Sequence, residues 1–236
     1  MRAETMPFSL AIIKQQAQGV LPVIPDIKCV SPKDGDLLRG RDPVQVATSL
    51  ASWGAPVLSV VTESEHFGGS PKLLEAIAAK AGLPVLRKDF IRNKEALHET
   101  KHFGASAVLL IAAIVDERTL AALYEHALKM GLEPLVEVCT ATEMVFAKTL
   151  NPQLLGINNK NILDLERDSG NATRTQHLAE GKPKNALLIS ESGILSCADA
   201  KQAVSAGADA ILVGTALWQA ADMKLMYQEL RKVTRD

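Results

Sequence analysis

The stretch PVLSVVTESEHFGGSPKLLEAIAAKAGLPVLRKDF, residues 56–90, holds one complete repeat of the chain's organisation. It opens with a short run rich in Val, PVLSVVT (56–62), and passes into SPKLLEAIAAKAG (70–82), where apolar residues recur at helical spacing. Gly82 stands where that helix would stop, because a left-handed residue costs Gly little. A second run, PVLRKDF (84–90), follows at once. Outward from this unit, comparable runs stand at 22–28 (PVIPDIK), 107–113 (AVLLIAA), 133–138 (EPLVEV), 154–158 (LLGIN), 186–192 (ALLISES) and 210–215 (AILVGT). Eight strands are therefore expected, separated by helix-like segments such as ERTLAALYEHALKMG (117–131).

The runs are apolar almost throughout, as a parallel sheet requires when helices cover one side and a filled interior covers the other. Eight strand-helix units in 236 residues admit a closed parallel barrel or an open doubly wound sheet. A nucleotide-binding open sheet would carry G-x-G-x-x-G after an early strand, and KCVSPKDGDL (28–37) has no such pattern. No Gly/Ser/Pro-rich linker marks a second domain. The expected fold is α/β, a single-domain (β/α)8 TIM barrel over residues 22–236, preceded by a short N-terminal helical segment within 1–21, around residues 8–18.

Composition narrows the function. Apolar residues make up 47 % of the chain, enough for a large core, and 26 Lys plus Arg against 27 Asp plus Glu leave a net charge of −1. No global field would draw the protein to nucleic acid or an anionic membrane, so an anionic ligand must be caught by a local site. Cys29, Cys139 and Cys197 are widely spaced, with no Cys-x-x-Cys pair, and read as reduced thiols. No apolar run approaches the roughly 20 residues of a membrane span, and a cytoplasmic location is expected. Five scattered His form no metal cluster, and the His98/His102 pair at helical spacing reads as a surface feature. Neither metal nor cofactor is expected.

In a barrel the active site lies at the C-terminal ends of the strands. Here those ends carry Asp26 and Lys28, Lys88 and Asp89, Glu137, Asn158 and Asn159, and Glu191 and Ser192. The two-residue period puts Asp26 with Lys28 on one side, and sends Cys29 toward the helices if Lys28 points inward. After the last two runs, SESGI and LVGTA bring Ser192, Gly193, Gly214 and Thr215 to the place where barrels commonly bind phosphate.

These residues also resemble the indole-3-glycerol phosphate synthase family. The resemblance runs from about residue 22 to 220 and rests on DIKCVSP, VVTESEHFGGS, PVLRKDFI, LLIAAI, PLVEV, GINNKN, ISESGI and ILVGTAL in that order and spacing. It implies a carboxy-lyase of tryptophan biosynthesis that needs no cofactor. Such an enzyme converts 1-(2-carboxyphenylamino)-1-deoxyribulose 5-phosphate to indole-3-glycerol phosphate with release of carbon dioxide and water. By the same resemblance Lys88 is the general acid, Glu137 the base, and Lys28 the cation near the carboxylate and reacting carbonyl. Asn158, Glu191 and Asp26 complete the polar ring. Ser31, Lys160, Ser192, Gly193, Gly214 and Thr215 match positions around the phosphate, while Phe67, Phe90 and Ile111 match the walls of the ring pocket. The implied partner is a small sugar phosphate, with neither nucleic acid nor membrane.

Five departures accompany the match, one of them an added acid, Asp34, in the Ser31-Pro32-Lys33-Asp34-Gly35 loop where the family has S-P-S-K-G. Asp26 stands where the family has Glu, shorter by one methylene and so by about 1.5 Å. Lys160 replaces an Arg, a point charge in place of a planar fork. Cys139 stands where a His usually follows V-E-V, and only 21 residues precede the first run, where relatives usually carry a longer extension that helps cover the substrate. Two alternatives stay open: a paralogue acting on another aryl or amino sugar phosphate, and a non-catalytic phosphate-binding barrel.

Overall fold

The structure, a computed structural model, describes residues 6–165, 167 and 171–235. Eight parallel strands close into one barrel: β1 Val23–Ile27, β2 Leu58–Val61, β3 Val85–Lys88, β4 Ala107–Ile111, β5 Glu133–Val138, β6 Leu154–Asn158, β7 Leu187–Glu191 and β8 Ala210–Val213. Each pairs with the next, and β8 pairs with β1 through Val23↔Ile211 to complete the ring. The fold is the expected (β/α)8 barrel.

The alternation of the strands explains why they read as unbroken apolar runs. One set of residues, including Ile24, Leu86, Leu109, Ile111, Leu135, Ile189 and Leu212, forms a single buried cluster filling the barrel. The alternate set, such as Val60, Val85, Val108, Val136, Leu155 and Ile211, packs outward beneath the helices. Both faces are buried, so both sets must be apolar.

The outer helices start where the chain supplies a cap. Asp42, Ser70, Asn93, Asp116, Thr140, Ser196 and Asp222 each accept a hydrogen bond from a backbone N–H of the first turn. Each such cap contributes about 1 kcal/mol. Pro43 and Pro71 occupy the first helical position, where the missing N–H is not needed. The helix Ala141–Leu150 ends on Asn151 in the left-handed region, φ 46°.

Two features go beyond the sequence reading. Val30–Ser31 and Gly35–Asp36 form a small antiparallel ribbon after β1. Its Val30 N–H donates to the Phe67 carbonyl at 3.0 Å, tying the loop after β1 to the loop after β2. The N-terminal helix, Phe8–Gln16, seals the end of the barrel opposite the polar strand ends. Phe8 and Ile12 join the interior cluster, the Phe8 and Ser9 amides donate to Glu133 at the start of β5, and Gln16 Nε2 donates to the Asp209 carbonyl at 2.9 Å. This helix is a plug at the bottom and does not cover the upper face. No helix among the described residues is long and apolar enough to cross a membrane.

Candidate active site

Two cavities open at the C-terminal ends of the strands and share two residues, Lys28 after β1 and Lys88 at the end of β3. One is walled by Phe67, Phe90, Leu109, Ile111 and Ile162, with Val61, Glu63 and Asp89 at its edge. The other is lined by Asp26, Lys160, Ser192, Gly193, Gly214 and Thr215, with Ile194, Leu195 and Leu212. An apolar slot and a cationic, glycine-rich slot thus meet at a pair of ammonium groups.

The apolar slot is built from two loops. Phe67 and Phe90 meet edge to face, with ring centroids 6.4 Å apart and planes at 65°. Lys28 Nζ lies 5.7 Å from the Phe67 centroid, within cation–π range. Phe67 is held by its backbone: its carbonyl accepts from Val30 and its N–H donates to Glu63 Oε2 at 2.9 Å. The same carboxylate accepts from the amides of Glu65 and His66 and from the His66 ring. Burial by itself would raise the Glu63 pKa, but the bonds from His66, Phe67 and Glu65 outweigh it and hold the carboxyl below its ordinary range. Phe90 is placed by Asp89, whose carboxylate accepts from the Phe90 amide at 2.8 Å, from Arg87 at 2.9 Å and from Thr62.

The polar slot gathers three lysines, Lys28, Lys88 and Lys160, against one carboxylate, Asp26. Asp26 Oδ1 accepts from Ser59 Oγ at 2.6 Å, and its carbonyl accepts from the buried Trp218 indole at 2.9 Å. A methyl group on Gly214 would stand 3.3 Å from Asp26 Cβ, so the two residues pack closely. Ser192 and Gly193 are both left-handed, φ 60° and 70°. The chain thus turns sharply where the strand ends, and both residues line the polar slot. The amides of Gly193 and Ile194 donate to no protein acceptor among the described residues. The helix after β8, Thr215–Gln219, has only five residues.

Beneath the slots, Glu137, Asn158 and Glu191 form a buried polar floor, each at most 2 % exposed. Asn158 stands opposite Glu191, and Glu137 opposite Gly156, in the strand register. Gly156 has no side chain for a reason: a methyl there would overlap Glu191 Oε1. Asn158 Oδ1 accepts from the Lys160 amide at 2.9 Å, while its buried Nδ2 has no hydrogen-bond partner among the described residues. An unused buried donor costs about 1–3 kcal/mol, and a ligand in the slot would recover it.

Several strand-end residues serve the frame. Ser31 lines neither slot; its hydroxyl pairs with Asp34 at 2.9 Å inside the ribbon turn. Cys139 also lies outside both slots, its amide bonded to Glu143 Oε2 at 2.7 Å. Burial and the nearby Glu143 and Glu137 push its thiol up to about 11, so it does not act as the titrating counterpart of an imidazole. Asp89 lines the apolar slot while its carboxylate braces Arg87, Thr62 and the Phe90 amide, and Asn159 turns away from both slots and braces a loop. His98 pairs with His126 at the surface. Glu63, Leu109, Ile162 and Leu212 are slot residues that strand-end reasoning missed. Glu63, Leu109 and Leu212 lie within the motifs VVTESEHFGGS, LLIAAI and ILVGTAL, and Ile162 directly follows GINNKN.

A family model described as indole-3-glycerol phosphate synthase matches residues 1–230. The indole-3-glycerol phosphate synthase of Pyrococcus furiosus is 44 % identical over 199 residues, covering 84 % of this chain and 86 % of that one. That of Thermococcus kodakarensis is 40 % identical over 226 residues, 96 % and 97 % of the two chains. That of Exiguobacterium sibiricum is 37 % identical over 235 residues, 100 % and 90 %. Among solved structures, a thiamine phosphate pyrophosphorylase from Pyrococcus furiosus superposes with a TM-score of 0.65 at 16 % identity, over 90 % of this chain and 95 % of that one, a likeness of fold alone. With the polar strand ends, the two joined slots and these matches all in agreement, the chain belongs to the indole-3-glycerol phosphate synthase family.

Proposed function

We propose that the two slots hold opposite ends of one substrate, 1-(2-carboxyphenylamino)-1-deoxyribulose 5-phosphate, which the chain converts to indole-3-glycerol phosphate. The single observation that carries this reading is the shared pair Lys28 and Lys88 between an aromatic slot and a cationic one. The benzoate ring fits against Phe67, Phe90, Ile111 and Ile162. The phosphate fits among Lys160, Ser192, Gly193, Gly214 and Thr215. The ribulose carbonyl then falls between them, beside both ammonium groups.

In that position Lys88 protonates the carbonyl oxygen as the carboxyl-bearing ring carbon attacks the carbonyl carbon. Lys28 holds the carboxylate until carbon dioxide leaves. In the dehydration that follows, Lys88, reprotonated from solvent, gives the departing hydroxyl the proton with which it leaves as water, while Glu137 takes the proton lost from the carbon bonded to nitrogen, and the indole becomes aromatic. Asn158, through its unused Nδ2 donor, binds a substrate oxygen, and Glu191 orients the polar floor. Asp26, bonded to Ser59, sits at the phosphate side of the slot, where a shorter carboxylate leaves more room than Glu would. The aromatic slot favours an aryl substrate over the plain sugar phosphates that a phosphate site alone would accept.

Incubation with the carboxyphenylamino substrate should produce indole fluorescence. Lys88→Ala should lower kcat by about 10²–10⁴-fold, the usual share of general acid catalysis. Absence of product with the unaltered chain would overturn the reading.

A further inference from the structure

Asn159 follows Asn158 at the end of β6 but turns the other way, toward the helix Thr173–Leu178. It is 2 % exposed, and its neighbours Thr175 and Ser190 are fully buried. Its Nδ2 lies 2.9 Å from Ser190 Oγ, 2.9 Å from the Glu191 carbonyl and 3.1 Å from the Ser192 carbonyl. Its Oδ1 accepts from the Thr175 amide and hydroxyl, both at 3.0 Å. Its own amide donates to the Glu191 carbonyl at 2.9 Å, carrying the β6–β7 ladder one step further.

The orientation of this side-chain amide is settled by chemistry. Two carbonyls can only accept, so the group facing them is the NH₂; the Thr175 amide can only donate, so the group facing it is the oxygen. With Thr175 and Ser190 hydroxyls 2.7 Å apart, the three side chains close a cycle: Asn159 donates to Ser190, Ser190 to Thr175, and Thr175 to Asn159. Each bond of the cycle uses one hydrogen, and the second Nδ2 hydrogen is shared between the Glu191 and Ser192 carbonyls; such closed chains reinforce their own bonds.

We infer that Asn159 is a positioning residue for the phosphate end of the site, holding the turn Glu191–Ser192–Gly193 in the shape that presents its amides to an anion. That shape needs holding. Ser192 is a non-glycine residue at φ 60°, a conformation that costs an L-residue about 1 kcal/mol or more. Its carbonyl and that of Glu191 are the two backbone groups the Asn159 NH₂ grips, and both Ser192 and Gly193 line the polar slot. Asn159 itself touches neither slot, so it acts only through the turn.

This inference rests on the phosphate reading of the polar slot. The test compares the unaltered chain with Asn159→Ala, Thr175→Val and Thr175→Ser. It measures KM and kcat, and competition by inorganic phosphate and by anthranilate as probes of the two slots. Asn159→Ala should weaken inorganic phosphate and raise KM by about tenfold, with a smaller change in kcat and anthranilate within about twofold of the unaltered chain. Thr175→Val should move the same way by less, and Thr175→Ser, which keeps the hydroxyl, should restore ordinary behaviour. If Asn159→Ala does not fold, Thr175→Val carries the same comparison. Phosphate competing equally well against the variant and the unaltered chain would overturn this inference alone, as would phosphate and anthranilate weakening together. Phosphate failing to compete against the unaltered chain would overturn the phosphate reading, and this inference with it.

Discussion

Glu63 shows how a single carboxylate shapes a site without reacting in it. Its two oxygens accept four hydrogen bonds at 2.8–3.0 Å, three of them from the backbone of the loop that carries Phe67. Because its folded pKa lies below its ordinary value, the stabilisation is complete above the unfolded carboxyl range, about pH 4.3, and is lost as pH falls through the folded value. Glu63→Gln should therefore lower Tm at pH 7, and the difference should shrink as acid protonates Glu63; thermal melts from pH 7 down to about pH 3 measure it. A Tm difference that persisted unchanged into acid would show that the charge is not what matters. Lys28, Lys88, Glu137 and Glu191 were legible as candidates because a polar residue closing an apolar run is a local pattern. Glu63 was not, because its importance depends on a loop curling back on its own carboxylate.

At the scale of elements, each strand carries two messages on alternate residues, one for the interior and one for the helices. β6 makes both unusually plain. Inward, Gly156 and Asn158 leave room for Glu191 and offer a donor; just beyond the strand, Asn159 braces the next loop. Gly156→Ala would place a methyl on Glu191 Oε1 and force that carboxylate out of the floor. The expected result is a fall in kcat of about 10²-fold, read by steady-state indole fluorescence, with the chain still folded by circular dichroism. The eight strands were legible because they are apolar runs of similar length. The ribbon Val30–Ser31/Gly35–Asp36 was not, since two strands of two residues make no periodic pattern, and their pairing is fixed by the Phe67 loop against which they lie.

For the whole molecule, chemistry and closure are assigned to opposite ends of the barrel. The polar slots crown the top, while Phe8 and Ile12 fill the bottom as part of the interior cluster. The short stretch before the first strand supplies this plug. Phe8→Ala should cost about 3–5 kcal/mol and lower Tm by about 10 °C, with kcat and KM unchanged at temperatures where the variant stays folded. Scanning calorimetry and steady-state kinetics check the two halves, and a changed KM would mean that the plug communicates with the site. The sequence by itself determined the barrel, its strand order and the polar residues at its upper rim, because apolar periodicity and strand-end polarity are carried by neighbours in the chain. Only the tertiary structure decided which of those residues share a slot and which brace the frame. Lys28 and Lys88 become neighbours only when the ring of strands closes, and Ser31, Asp89 and Asn159 reveal their partners only when the loops have packed.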